Sequence, residues 1–324
     1  MGAKPSAPEK DLVEFRLGIY FERDGAGLSN QRLQLETMLA LARVFNRFLV
    51  LPPPKIIDHL SDPYEESRLW CLRRLSSQVP IVMDQSNGEA PQGAHVVSDQ
   101  ISSLLPQRLP GDRHWYFTKE ASRIQHFECM RYPGLEERRA ASRCVLESFE
   151  LHEGHHSSAK RALKRLNLEK YSYVAAHVRR GDFAEFRPNG QKSGWEIAES
   201  LNKHCLGKPL LVASDATPSD NVLQDIQKHS LASILLQTSE GLDEFHGDLS
   251  RAAADMLLCR WAHTFVGTQD STFSNGIFAM RKKDSLLSDF PGKSEPLFLF
   301  GEIPREPKGG VCWERVTQFS HVMA

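Results

Sequence analysis

The second half of this chain alternates short apolar runs with stretches of helical spacing, and no other feature constrains its fold as much. Runs at 173–178, 210–213, 233–236 and 264–266 have the length and near-continuous apolarity of strands buried on both faces. Stretches at 195–203, 219–228, 247–261 and 272–281 have helical spacing and lie between or after them. Such alternation predicts a parallel sheet with helices on both faces. Each strand runs into a polar or glycine-bearing segment: Arg179-Arg180-Gly181-Asp182, Ser214-Asp215, Thr238-Ser239 and Gly267-Thr268. In an open parallel sheet these segments share the carboxyl edge, where ligands bind.

The first half opens the same way. A strand at 15–20, a glycine-containing turn at 22–29, a helix at 30–45 and a strand at 48–51, closed by Pro52-Pro53-Pro54, make a β-α-β unit. From 56 to 149 the pattern is less regular, with strands expected at 81–83 and 94–97 and a basic helix at 135–151. Ser157 and Ser158 are placed to cap a helix through residue 166, which leaves 153–158 as a linker. The 324 residues therefore divide into an N-terminal domain over 11–155 and a C-terminal domain over 156–324, each of ordinary size.

Composition removes several classes of function. The formal net charge is −1, so no global field collects nucleic acid or an anionic membrane, and any polyanion must be held locally. No stretch approaches the ~20 apolar residues of a membrane span, and the opening MGAKPSAPEKDLVEF has no apolar signal core. Taken alone, that start predicts a cytoplasmic protein. The six cysteines form no C-x-x-C pair, which excludes a zinc ribbon and a thioredoxin-type motif. His152-Glu153-Gly154-His155-His156 has the letters of a zinc-hydrolase helix, H-E-x-x-H. Gly154 weakens a helix there by ~1 kcal/mol relative to Ala, so the segment reads as linker instead.

Three segments can carry chemistry. Arg179 and Arg180 leave a buried strand together and can present paired guanidinium forks to a phosphate, or form surface ion pairs. Gly267-Thr268-Gln269-Asp270-Ser271-Thr272-Phe273-Ser274 follows a strand and opens a helix, where free N–H groups and hydroxyls bind phosphate or simply cap. Gly25-Ala26-Gly27-Leu28-Ser29-Asn30-Gln31-Arg32 forms the first strand-to-helix turn. It lacks the third glycine of a dinucleotide fingerprint, so a nicotinamide cofactor is not expected.

Taken in order, Asn30-Gln31-Arg32, His177-Val178-Arg179-Arg180-Gly181-Asp182-Phe183, Ser214-Asp215 and Phe265-Val266-Gly267-Thr268 through Ser271-Thr272-Phe273-Ser274 resemble the GDP-fucose-dependent protein O-fucosyltransferase superfamily. The branch that fucosylates small disulfide-rich repeats is nearest, and the resemblance spans about 15 to 285. It implies an α/β, GT-B-like fold of two facing Rossmann-like domains with mainly parallel sheets, the donor held by the C-terminal one. It implies an inverting transfer of fucose from GDP-fucose to a hydroxyl of a protein or glycan acceptor, most simply a protein Ser or Thr.

The same resemblance assigns Arg180, with Arg179 beside it, to the donor pyrophosphate, and Asp182, Ser271, Thr272, Phe273 and Gly27 to the donor site. Asp215 faces the guanosine, His177 the nucleotide or sugar, and Asn30 the sugar and acceptor. Some members place a Glu before the second glycine of the first turn as base. Ala26 stands there, and Glu22 and Asp24 on the same loop are the substitutes. No D-x-D triplet occurs, so no cofactor is expected and transfer should need no metal. Alternatives on the same fold are a rhamnose-nucleotide enzyme and a non-catalytic nucleotide-sugar or glycan binder. The family implies the secretory pathway, against the cytoplasmic indication of the start.

Overall fold

The computed structural model describes residues 17–98 except 59, 85 and 87, then 109–122, 148–181, 192–216, 220–233, 235–237, 247–269, 271–287, 289–293 and 297–299. Asp182, Asp270, Thr238 and Ser239 lie outside them, as does the expected helix over 135–147. Leu151, at the end of that expected helix, pairs instead with Trp70 in an antiparallel bridge.

The first half builds a five-stranded parallel sheet from β1 (Gly18–Phe21), β2 (Phe48–Leu51), β3 (Ile81–Met83), β4 (His95–Val97) and β5 (Trp115–Phe117), in the order β3-β2-β1-β5-β4. Helix α1 (Leu28–Val44) links β1 to β2, and three single-turn helices follow: α2 (Glu66–Leu69), α3 (Leu72–Leu75) and α4 (Lys119–Ser122). Strand β5, unread in the sequence, occupies the place beside β1. Three residues are too few for a period to show, and Trp115-Tyr116-Phe117 is legible as strand only once its buried neighbours are known.

The second sheet is also parallel, with β6 (Val174–Val178), β7 (Leu210–Ser214), β8 (Leu235–Gln237), β9 (Thr264–Gly267) and β10 (Leu297–Phe298) in the order β10-β9-β6-β7-β8. Both faces are buried. Val174, Ala176, Val178, Leu210 and Val212 pack on one side. Ala175, Leu211, Ala213 and Phe265 enter a second core that runs on into the first half. The helices are α5 (Glu153–Arg165), α6 (Gly194–Cys205), α7 (Val222–His229), α8 (Asp248–Arg260) and α9 (Thr272–Leu287).

Two expectations are corrected here. The segment 153–158 is not a linker but the start of α5, because the His152 side chain accepts the Gly154 N–H and caps the helix. Nor does α7 begin at 219. Asp220 Oδ1 accepts the Val222 N–H at 3.0 Å and fixes the start there. No helix among the described residues is long and apolar enough to cross a membrane. Cys71, Cys205 and Cys259 are free thiols.

Candidate functional site

In the second sheet the strand order reverses between β6 and β9, so β6 and β9 flank the crevice where open parallel sheets bind ligands. Thr268, just past β9, ties the two strands together. Its hydroxyl donates to the His177 carbonyl at 2.7 Å and accepts the Arg179 N–H at 3.0 Å. Its own N–H donates to Ser274 Oγ at 3.0 Å, and that oxygen lies 2.8 Å from His177 Nδ1. The Phe273 ring stacks at a tilt on the His177 imidazole, centroids 4.8 Å apart. Burial, reinforced by the Arg179 charge, pushes the His177 pKa down to about 3, so the imidazole is neutral.

Gly267 is required where β9 meets α9. A Cβ there would lie 2.8 Å from the Ser274 Cβ and 2.9 Å from the Phe278 ring, so only glycine lets helix and strand approach this closely. Ser271 acts as the cap of α9, its hydroxyl accepting the Ser274 N–H at 3.4 Å, and Thr272 and Phe273 follow half-buried.

The two arginines diverge. Arg179 pairs with Asp215 Oδ2 at 2.5 Å, while the other Asp215 oxygen accepts the Arg180 N–H at 2.6 Å. Asp215 thus brackets the loop, and Gly181 leaves room for it. Arg180 turns toward the start of α7. Asp220 holds it bidentately, Nε to Oδ2 at 2.7 Å and Nη2 to Oδ1 at 3.3 Å, and Nη1 donates to the Lys192 carbonyl at 2.9 Å. Burial opposes charge on Asp220, but the hydrogen bonds from Arg180 and the Val222 N–H prevail and hold its pKa below the usual carboxylate range. In the free protein each arginine therefore already faces a carboxylate.

On the first-half side, Gly27 caps α1, its carbonyl accepting the N–H groups of Asn30 and Gln31 at 2.8 and 3.2 Å. Glu22 is a clamp. One carboxylate oxygen accepts the Tyr116 hydroxyl at 2.8 Å and the other the Lys119 N–H at 2.9 Å, which fastens the loop to β5 and α4. Asp24 stays beside α1, and Asn30 is half-buried with its Oδ1 buried. Arg23, which the sequence reading passed over, is buried in an ion pair with Glu66 and donates to the carbonyls of Pro52 and Pro53. It holds the loop against the end of β2. The two halves meet along α1 and α9, where Arg32 Nε lies 3.6 Å from the position a Cβ on Gly276 would take.

The three histidines of 152–156 serve other partners. His152 caps α5, His155 Nε2 contacts the Arg68 carbonyl at 2.7 Å, and His156 Nε2 lies 3.0 Å from Glu150. A cavity of about 370 Å³ opens there, at the amino ends of β6 and β9 and so away from the crevice. Among its charged residues Arg260 bridges Glu150 and Asp284, and the buried Lys283 also donates to Glu150. That network pins the two halves together.

A family model described as GDP-fucose protein O-fucosyltransferase matches residues 19–283. No curated protein sequence matches the chain. Among solved structures, POFUT1 in complex with GDP superimposes with a TM-score of 0.58 at 13% identity, covering 88% of this chain and 99% of that one. The NodZ alpha-1,6-fucosyltransferase soaked with GDP-fucose gives 0.55 at 15%, covering 82% and 92%. A fucosyltransferase NodZ from Bradyrhizobium gives 0.54 at 14%, covering 85% and 93%. The shared architecture is GT-B-like, with two Rossmann-like units of mainly parallel sheet.

Proposed function

Because this chain belongs to the GDP-fucose protein O-fucosyltransferase family, we propose that it transfers fucose from GDP-fucose to a hydroxyl, with inversion and without a metal, and that a protein Ser or Thr supplies the hydroxyl. The observation that carries this reading is the Thr268 hub. It sets Arg179, the neutral His177 and the start of α9 around the one crevice where the strand order of the second sheet reverses. POFUT1 has been solved in complex with GDP and in complex with GDP-fucose.

In this reading the pyrophosphate lies against Arg179, Arg180 and the first turn of α9. Arg180 has three of its five N–H groups engaged by Asp220 and Lys192, which fixes its plane before the donor arrives. Charge growing on the departing diphosphate then meets donors already in place. Gly27, Ser271, Thr272, Phe273 and Asp182 are assigned to the donor site, and Asn30 to the sugar and acceptor. Asp215 braces the arginine loop on this reading. Glu22, held at both oxygens, keeps the first turn in shape.

Incubation of the full chain with GDP-fucose labelled in the sugar and a folded disulfide-rich repeat, in the presence of EDTA, tests the proposal. Label on the repeat and release of GDP are expected. Binding of GDP without release from GDP-fucose would favour a non-catalytic nucleotide-sugar binder.

A further inference from the structure

The amino edge of the second sheet, at the opposite end of its strands from the crevice, exposes two leucines just ahead of neighbouring strands. Leu206 ends α6 before β7 and is 83% exposed, and Leu231 follows α7 before β8 and is 75% exposed. Leu206 has φ 44° and ψ 42°, the left-handed conformation that glycine takes freely and leucine does not. Gly207 follows at φ 76°, so the chain turns here through two left-handed residues. A leucine held in such a conformation with its side chain in water is an outlier that points to function.

Asn202, one turn before Leu206, clips the two helix ends together. Its Oδ1 accepts the Leu231 N–H at 2.7 Å and its Nδ2 donates to the His229 carbonyl at 3.1 Å. Lysines surround the pair. Lys203 and Lys228 stand in the last turns of α6 and α7, where they complement the helix dipoles. Lys208 and Lys293 lie outside any helix, so that role does not account for them. None of the four is in an ion pair among the described residues. Burial with Lys293 and Lys203 lowers the His204 pKa, and burial with Lys208, Lys293 and Arg281 lowers that of His263, so the charges acting on both imidazoles are cations. Glu169 and Asp289 are exposed carboxylates ahead of β6 and Lys293, and they leave the cations in excess.

We infer that this edge docks on an anionic lipid bilayer, with Leu206 and Leu231 entering the acyl boundary and Lys203, Lys208, Lys228 and Lys293 lying among the headgroups. Charge complementarity selects the partner. The whole chain has a formal net charge of −1, so attraction to an anionic surface is confined to this edge and sets one orientation. Two apolar side chains ringed by ammonium groups suit a fluid interface that flows around them, whereas a folded partner requires a packed, shape-complementary core. The five residues of β6 rise ~3.3 Å each, which puts the crevice ~17 Å above the docked edge and open to solution.

The test is cosedimentation of the full chain with vesicles of phosphatidylcholine alone and of phosphatidylcholine with phosphatidylserine, at low and high salt, with Tm and GDP affinity measured alongside. Wild type should pellet with the phosphatidylserine vesicles, come off at high salt and ignore the neutral ones. Leu206→Gly relieves the backbone, so it should hold or raise Tm while binding vesicles ~tenfold more weakly, on the order expected for one leucine withdrawn from lipid. Leu231→Ser should act alike, and Lys208→Gln should weaken binding ~fivefold, the worth of one lysine at an anionic surface. GDP affinity should stay unchanged in all three. Absence of wild-type binding to phosphatidylserine vesicles, equal binding to neutral ones, or leucine variants that bind as wild type does overturns the proposal. Poly-glutamate bound as tightly as vesicles, with both unaffected by Leu206→Gly, also overturns it and makes the partner an acidic polypeptide.

Discussion

Ser274 Oγ and His177 Nδ1 lie 2.8 Å apart, joining the first turn of α9 to the last residues of β6. Both side chains are buried, and the same oxygen accepts the Thr268 N–H. Replacing Ser274 with Ala strands that N–H and the imidazole nitrogen together. Each unsatisfied buried group costs ~1–3 kcal/mol, so Tm should fall. Because Thr268 also positions the Arg179 backbone, GDP should bind more weakly to the folded variant. Calorimetric titration with GDP and a melting curve check both effects, and Ser274→Thr, which keeps the hydroxyl, should lose less of each.

The neutral state of His177 makes stability depend on acid. Its folded pKa of about 3 lies below the ordinary histidine value near 6.5, so unfolded chain takes up the proton first. The stabilising contribution is complete above pH ~6.5 and is lost as pH falls toward the folded value, at up to ~1.4 kcal/mol per pH unit. A His177→Asn variant should therefore start less stable at neutral pH and lose less stability than wild type between pH 6 and pH 4, on the order of 1 kcal/mol per unit less. Urea midpoints at a series of pH values give the comparison, and parallel curves would place the acid sensitivity elsewhere.

Arg180→Ala should separate function from folding. The Arg180–Asp220 pair is partly solvent-exposed, and such pairs contribute ~0–1 kcal/mol, so the melting temperature should change little. Loss of a preorganised donor at the departing diphosphate should lower kcat by ~10²–10³. Arg180→Lys keeps the charge without the planar fork and should recover only part of it. If Arg180 only holds Asp220, neither kcat nor GDP affinity will move beyond twofold or so, as for an ordinary surface pair.

Chelation gives a fourth prediction. With arginines and a helix N-terminus neutralising the diphosphate, EDTA should leave the rate unchanged. Activity abolished by EDTA and restored by manganese would contradict it.

The second sheet was legible in the sequence because both of its faces are buried. Val174 to Val178 and Leu210 to Ser214 show as apolar runs whichever face is considered, and Gly181 and Gly267 mark where the chain leaves β6 and β9. Strand β5 was not legible, being three residues long and stabilised by its pairing with β1. The start of α5 was misread because Gly154 lowers helix propensity, while the cap that overrides it is a His152 side chain, outside the usual capping residues. Within the site, motif spacing brought out Arg179, Arg180 and Ser271. It could not show that Asp215 and Asp220 hold the arginines or that Glu22 is fastened to Tyr116, since those partners are 35 to 94 residues away.

The nucleotide preference of the crevice between β6 and β9 tests the reading most directly. A thermal-shift panel of GDP, GDP-fucose, GDP-mannose and UDP-rhamnose measures it, because a ligand held only by the folded protein adds RT ln(1 + [L]/Kd), ~2.7 kcal/mol at a hundred times Kd. GDP and GDP-fucose should raise Tm most, and Arg179→Ala should abolish the shift. A preference for the uridine nucleotide, or equal shifts in wild type and Arg179→Ala, would contradict a GDP-fucose site at the Thr268 hub.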